Sequence, residues 1–115
     1  MKNSAERLSR FLSDPPEVQV GGIAANLARI RSFSQNPDNR AIVRGLVDET
    51  ALYLRNAKVP NDSAIATDLA QLRTRLELWV AILTDPTASP ESLASVADQA
   101  GKWSQRLIEG TGLLR

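Results

Sequence analysis

Carboxylates are the main candidates for acid–base chemistry in this chain, because its 115 residues include no histidine and no cysteine. Without these residue types the chain cannot form a Ser-His-Asp or Cys-His catalytic unit, and it lacks the side chain best suited to proton transfer near neutral pH. Thiol redox chemistry and sulfur-ligated metals are excluded for the same reason. We therefore expect a protein that is not an enzyme and that carries no cofactor.

Asp48 and Glu49 are the only two adjacent carboxylates in the sequence. Consecutive side chains of a helix point about 100° apart, so these two cannot bind one metal ion together without ligands from elsewhere. The metal sites that helical bundles build from Glu-x-x-His pairs also require histidine. We predict no metal site.

Glu49 lies on a stripe of the chain that is otherwise apolar, between Leu46 and Tyr53. This position predicts partial burial, and a buried carboxylate needs a partner. Arg31 and Arg73 each flank an apolar seam on another helix and could donate a charge-assisted hydrogen bond. We predict an interior polar cluster of Arg31, Glu49 and Arg73. It would serve either as an interhelical pair that fixes helix register or as an ionic site for a ligand.

The elements that must position these groups are helices, whose starts are marked by proline beside a capping residue. Such pairs occur at Pro15-Pro16, Pro37 and Pro90, and Pro60 to Ser63 supplies a further cap. Apolar spacing between these points is helical, and no alternating run is long enough for a strand. The pattern predicts a short helix near residues 4–12 and four longer helices near 16–34, 38–57, 62–84 and 90–109.

These helices predict an all-α fold, an up-down antiparallel four-helix bundle with a short additional N-terminal helix. The antiparallel order follows from the short connections, which make sequential helices neighbours. We expect one domain over residues 1–115, with residues 1–13 as an appendage and 14–112 as the bundle.

The fourth helix carries more apolar surface than one seam requires. Its seam recurs at alternating four- and three-residue intervals and consists of Ile65, Leu69, Leu72, Leu76, Trp79 and Leu83. Leu78 and Ile82 extend the apolar surface beyond this seam, so a second cover is needed. We favour the first helix as that cover, through Leu8, Phe11 and Leu12, because a nine-residue helix is marginal by itself. Otherwise a patch centred on Leu78 or Trp79 would form a dimer or partner interface.

Charge and hydropathy restrict the partners. Fourteen basic and thirteen acidic residues leave a net charge of +1, which provides no general attraction to nucleic acid or to anionic membranes. The basic residues of the second and third helices are interrupted by acidic ones and have no interleaved aromatics for base stacking, which favours a solvated surface. No apolar run is long enough to cross a bilayer, and residues 1–12 lack a secretory signal. We expect a cytoplasmic protein without a membrane partner.

Three functional hypotheses follow. We favour a non-enzymatic protein–protein interaction or regulatory module, a homodimer or the binder of a protein partner, that self-associates through the outer apolar face of the fourth helix. The second hypothesis is a bundle that binds a small molecule, and the third is nucleic-acid binding. The arginines that would carry the third are Arg29, Arg31, Arg40 and Arg44.

The second hypothesis places a ligand near Gly45, Glu49, Gly101 and Trp103. The two glycines need a reason, since glycine inside a helix costs about 1 kcal/mol relative to alanine. We expect that each permits close approach of a neighbouring helix, with a kink beside a pocket as the alternative.

Overall fold

Five α-helices and one short 3₁₀ helix form the fold, in a computed structural model that describes residues 4–58 and 63–111. The helices are α1 (Ser4–Ser13), α2 (Pro16–Phe33), α3 (Arg40–Asn56), α4 (Ser63–Thr84) and α5 (Pro90–Thr111), and the 3₁₀ helix is Pro37–Asn39. The described residues contain no strand, so the all-α prediction is confirmed. Within these same residues, no helix combines the length and the apolar character needed to span a membrane.

The helix starts follow local chemistry. Both α2 and α5 begin at a proline, as predicted, because a proline in the first turn has no N–H to leave unbonded. The third predicted helix differs in its first turn, where a 3₁₀ helix starts at Pro37 and α3 begins only at Arg40. The Asn36 side chain accepts a hydrogen bond from the Asp38 N–H at 3.0 Å, and this bond holds the tighter turn. The cap predicted for α4 at residues 60–62 lies outside the described residues.

Each of the four long helices packs against two others. Helix α2 contacts α3 and α5, and α4 contacts the same two helices. Their apolar stripes meet in one core, whose buried members include Ile23, Leu27 and Ile30 of α2, Val43 and Val47 of α3, and Val96 and Leu107 of α5. All six residues of the α4 seam are also buried, so the predicted seam is confirmed.

Polar contacts also tie α5 to α2 and to α4. The Ser104 hydroxyl donates a buried hydrogen bond to the carbonyl of Ala24 in α2 at 2.7 Å. Arg106 forms an ion pair with Asp68 of α4 at 2.8 Å. The first contact is the more significant for stability, because it satisfies a polar group that water does not reach.

Candidate functional site

The first helix docks on α2 and α3. Phe11 is buried, and its ring stacks on Tyr53 of α3 with the ring centroids 4.2 Å apart and the planes 5° from parallel. The same ring lies against α2 at Gly22, where an added Cβ would be 3.7 Å from it. Leu8 is partly buried against the core beside Phe11. The stacking of Phe11 on Tyr53 therefore places α1 against α3, and not over the end of α4 as we expected.

This placement leaves the outer surface of α4 without the cover that we expected from α1. Leu78 remains 52% exposed, whereas Ile82 is partly buried against the core. Trp79 is 1% exposed, and its indole N–H donates to Gln99 Oε1 at 3.4 Å, so it belongs to the core. Of the predicted interface residues, which also include Leu8 and Phe11, Leu78 is the one that faces solvent.

Glu49 is the centre of a polar network beneath α1. Its side chain is 18% exposed, and Arg7 of α1 forms an ion pair with its Oε2 atom. The second carboxylate oxygen accepts a hydrogen bond from Asn26 Nδ2 at 3.2 Å, and Asn26 Oδ1 in turn accepts from Arg29 at 2.9 Å. Glu49 is thus partly buried and paired, as its place on the apolar stripe predicts, and the pairing joins α1, α2 and α3.

The structure does not bring Arg31 and Arg73 to Glu49. Arg31 lies across α5 at Gly101, where an added Cβ would be 2.5 Å from Arg31 Cδ. Arg73 lines a groove between α3 and α4. The predicted cluster is therefore replaced by a different one, because docking of α1 places Arg7 against the carboxylate.

Tyr53 adjoins this network. Burial raises the pKa of its phenol above the usual 10.0, and the negative charge of Glu49, one turn away, raises that pKa further. The phenol is therefore neutral at physiological pH, and its ring serves as the platform on which Phe11 stacks.

Two buried amides of α2 are absent from the predicted polar cluster. Asn26 is 2% exposed, and Gln19 is fully buried, donating to the Asp14 carbonyl at 2.9 Å and accepting from the Lys58 N–H at 2.8 Å. A signal was present, since both residues lie three or four positions from Ile23 on the apolar stripe. A polar side chain at such spacing is expected to be buried and to find partners.

An open groove runs between α3 and α4, with a volume of about 440 Å³. Its floor is apolar and consists of Ala51, Leu54, Leu76 and Val80. Its rim is charged and consists of Asp48, Arg55, Arg73 and Glu77. Among the described residues, none of these four charged side chains takes part in an ion pair or a hydrogen bond. We call this feature the α3–α4 groove.

The residues proposed for a small-molecule site are not gathered in one interior. A Cβ added at Gly45 would have no atom within 4 Å, so no neighbouring helix packs closely against this glycine, contrary to our expectation. Gly101 instead makes room for the Arg31 side chain. Trp103 lies beneath the guanidinium of Arg106, with 5.3 Å between that group and the ring centroid.

Two of the four arginines considered for nucleic acid are held by contacts within the chain. Arg40 donates to the carbonyl oxygens of Leu83 at 3.1 Å and Asp85 at 2.7 Å, which caps the end of α4. Arg29 donates to Asn26. These contacts favour a structural role for both side chains.

The adjacent carboxylates face different sides of α3. Asp48 lines the α3–α4 groove, whereas Glu49 contacts α1 and α2. In the part of the chain that the structure describes, no group of three or more acidic side chains is arranged to hold a metal ion. Comparisons with protein-family models, with curated proteins and with solved structures gave no significant match.

Proposed function

We propose that this protein is a non-enzymatic protein–protein interaction or regulatory module that self-associates through the outer surface of α4. The observation that carries the proposal is Leu78, a leucine 52% exposed in a helix whose other large apolar residues are wholly or partly buried. A single exposed leucine is ordinary. Leu78 differs because it directly follows Glu77 on the rim of the α3–α4 groove, whose charges have no partner within the described chain. An apolar surface with a polar rim is what a protein partner covers.

We further propose that the four long helices form an up-down antiparallel bundle, which would present α3 and α4 side by side as one face. Support comes from contacts in which residue numbers rise along one helix and fall along its neighbour. These contacts are Gln19 with Lys58, Asn26 with Glu49, Asp68 with Arg106, and Trp79 with Gln99. A cytoplasmic location stays a prediction from the sequence.

The non-enzymatic part of the proposal is supported by the contacts of the acid groups. Glu49 is held by Arg7 and Asn26, and the pKa of Tyr53 is raised away from neutrality by burial. The Tyr53 phenol therefore keeps its proton near neutral pH, and both oxygens of Glu49 already have partners within the chain.

Light scattering over a concentration series tests the proposal. The wild-type chain is expected to approach twice its 12.5 kDa mass as concentration rises, whereas a Leu78→Glu variant stays at 12.5 kDa. Val18→Glu is the matched control, because Val18 is 44% exposed on α2, which is not a principal neighbour of α4. If light scattering gives a solution mass of 12.5 kDa for the wild-type protein at every concentration, self-association is contradicted. Equal association of the wild-type, Leu78→Glu and Val18→Glu chains contradicts the α4 surface.

A second candidate function, binding of a small apolar molecule, is supported by a pocket of about 140 Å³ at one end of the fold. Its apolar walls are Val43, Leu83, Leu93 and Val96. The pocket is open to solvent and is also lined by Ser34, Asn36 and Arg40. An enclosed apolar cavity of about 150 Å³ accommodates benzene, so benzene is a suitable probe for the apolar part of this pocket. Benzene is expected to raise the thermal midpoint of the wild-type protein but not that of a Leu93→Phe variant, in which the larger ring fills the space. No shift for the wild-type protein contradicts this second candidate.

A further inference from the structure

We propose that the α3–α4 groove is covered by the same groove of a second copy of this chain, related to the first by a two-fold axis. The inference rests on the proposed function. It adds to that function the surface, the orientation and the charge pairing through which two copies would meet.

The rim of the groove is neutral overall but consists of unpaired charges. Asp48 and Glu77 are acidic, and Arg55 and Arg73 are basic, yet no ion pair joins them. Three ion pairs occur elsewhere in the described residues, Arg7–Glu49, Lys102–Asp98 and Arg106–Asp68, and none of them includes a rim residue. The groove therefore keeps two charges of each sign available to a partner.

These charges are segregated along the groove. The hydrogen bond from the first residue of α3 to the carbonyl of Leu83 marks the end where α3 begins and α4 finishes. Along α3, Asp48 is nearer to that end than Arg55 by seven residues, or about 10 Å at 1.5 Å per residue. Along α4, Glu77 is nearer to it than Arg73 by four residues, or about 6 Å. One end of the groove is thus acidic and the other is basic.

A groove with this polarity is complementary to itself. A two-fold axis that lies in the interface and runs perpendicular to the groove places the groove of one copy against that of the other with the ends exchanged. The acidic end of one copy then lies over the basic end of the other, so that both ends of the interface pair opposite charges. Such complementarity orients association and disfavours other registers. The apolar floor, including Ala51 and Val80, supplies surface to bury between the copies.

The size of the face determines how strong such a contact is. Helices of 17 and 22 residues are about 25 Å and 33 Å long, and two side by side span roughly 20 Å. The shared face is therefore about 500 Å² per copy, or about 1,000 Å² for the pair, which is at the lower limit of specific interfaces. Leu78, about 100° around α4 from Glu77, adds apolar contact at the edge. We expect a reversible dimer that depends on concentration.

Two charge-reversal variants of the rim, measured alone and as a mixture, test the inference. Asp48→Lys with Glu77→Lys makes the rim wholly basic, and Arg55→Glu with Arg73→Glu makes it wholly acidic. Sedimentation at low salt is expected to show a wild-type dimer and, for each variant alone, self-association weakened roughly tenfold or more by like-charge repulsion. An equimolar mixture of the two variants is expected to restore a species of twice 12.5 kDa.

A control variant exchanges a charge pair outside the groove. Asp98→Lys with Lys102→Glu reverses an exposed ion pair on α5 and is expected to dimerise like the wild-type chain. Circular dichroism of each variant shows whether its helices are intact, and the restored mixture itself requires that both variants fold. Added salt is expected to weaken the wild-type dimer, because it screens the paired rims.

The outcomes separate this inference from the proposed function. A wild-type dimer that Leu78→Glu abolishes, with no restoration in the mixture, overturns the groove but leaves self-association standing. Groove variants that dimerise alone as well as the wild-type chain also overturn the groove. A wild-type chain that is monomeric at every concentration overturns both proposals.

Discussion

Replacement of Gly45 by alanine is expected to stabilise the protein. Glycine inside a helix costs about 1 kcal/mol relative to alanine, largely through the freedom of the unfolded chain. A Cβ built at Gly45 has no atom within 4 Å, so no steric cost offsets that gain. The free energy of unfolding should rise by about 0.5–1 kcal/mol. For a domain of this size, the thermal midpoint should then rise by roughly 2–4 °C.

Gly101 provides a matched comparison within the same fold. An alanine Cβ there would lie 2.5 Å from Arg31 Cδ and 2.9 Å from Arg31 Nη1, so the arginine must move. Arg31 is exposed and can turn into solvent, but it then loses the packing of its methylene groups on α5. The gain in helix propensity is offset, and we expect a net change near zero. In an Arg31→Ala background, Gly101→Ala should recover about 0.5–1 kcal/mol.

Urea unfolding followed by far-ultraviolet circular dichroism measures these differences, provided that unfolding is two-state and its slope is unchanged. The protein concentration is kept where light scattering gives the mass of one chain, so that association does not contribute. A destabilised Gly45→Ala variant would refute the reasoning, because it would require a close neighbour at that position. Equal stabilisation at both glycines would refute the placement of Arg31 against α5.

Two further results are expected. Tyr53 is the only tyrosine, and because burial raises its pKa above 10.0, its contribution to stability is intact below pH 10 and falls as pH rises through the native pKa. Absorbance titration of the phenolate should show this, and Phe11→Ala should bring the midpoint closer to 10.0; an unchanged midpoint would contradict the stacking. Ser104→Ala should lower the free energy of unfolding by about 0.5–1.5 kcal/mol, because the hydrogen bond from the buried hydroxyl is lost while the Ala24 carbonyl keeps its bond within α2. Ser32→Ala, at an exposed position, should change it by less than about 0.5 kcal/mol in the same urea experiment, and equal effects would contradict the buried bond.

The helices could be predicted from the sequence because their boundaries depend on local chemistry. A proline ring sets its own φ and lacks an N–H wherever it stands, so the starts of α2 and α5 need no knowledge of distant contacts. Pro37 also marks the start of a helical segment, but its first turn is a 3₁₀ helix and α3 begins only at Arg40. The Asn36 side chain caps this turn, and such a cap is compatible with either an α or a 3₁₀ turn.

Burial could be predicted only in part. Helical periodicity shows which side chains share a face, and it identified the α4 seam from Ile65 to Leu83. Periodicity does not show how far around a helix its neighbours reach. Ile82 is partly covered and Leu78 is left in solvent because of where α3 and α5 lie, which is a property of the packed molecule.

The sequence by itself therefore determined the all-α class, the starts of α2 and α5 and the burial of the main seam, since each depends on residues within a few turns of one another. Only the tertiary structure shows which side chains meet at the candidate site. Arg7 and Glu49 are 42 residues apart, and nothing local indicates that they meet. Their pairing depends on the stacking of Phe11 on Tyr53, and the polarity of the α3–α4 groove depends on which helices lie side by side. Such contacts are selected by shape and charge across the folded core, which no spacing along the chain encodes directly.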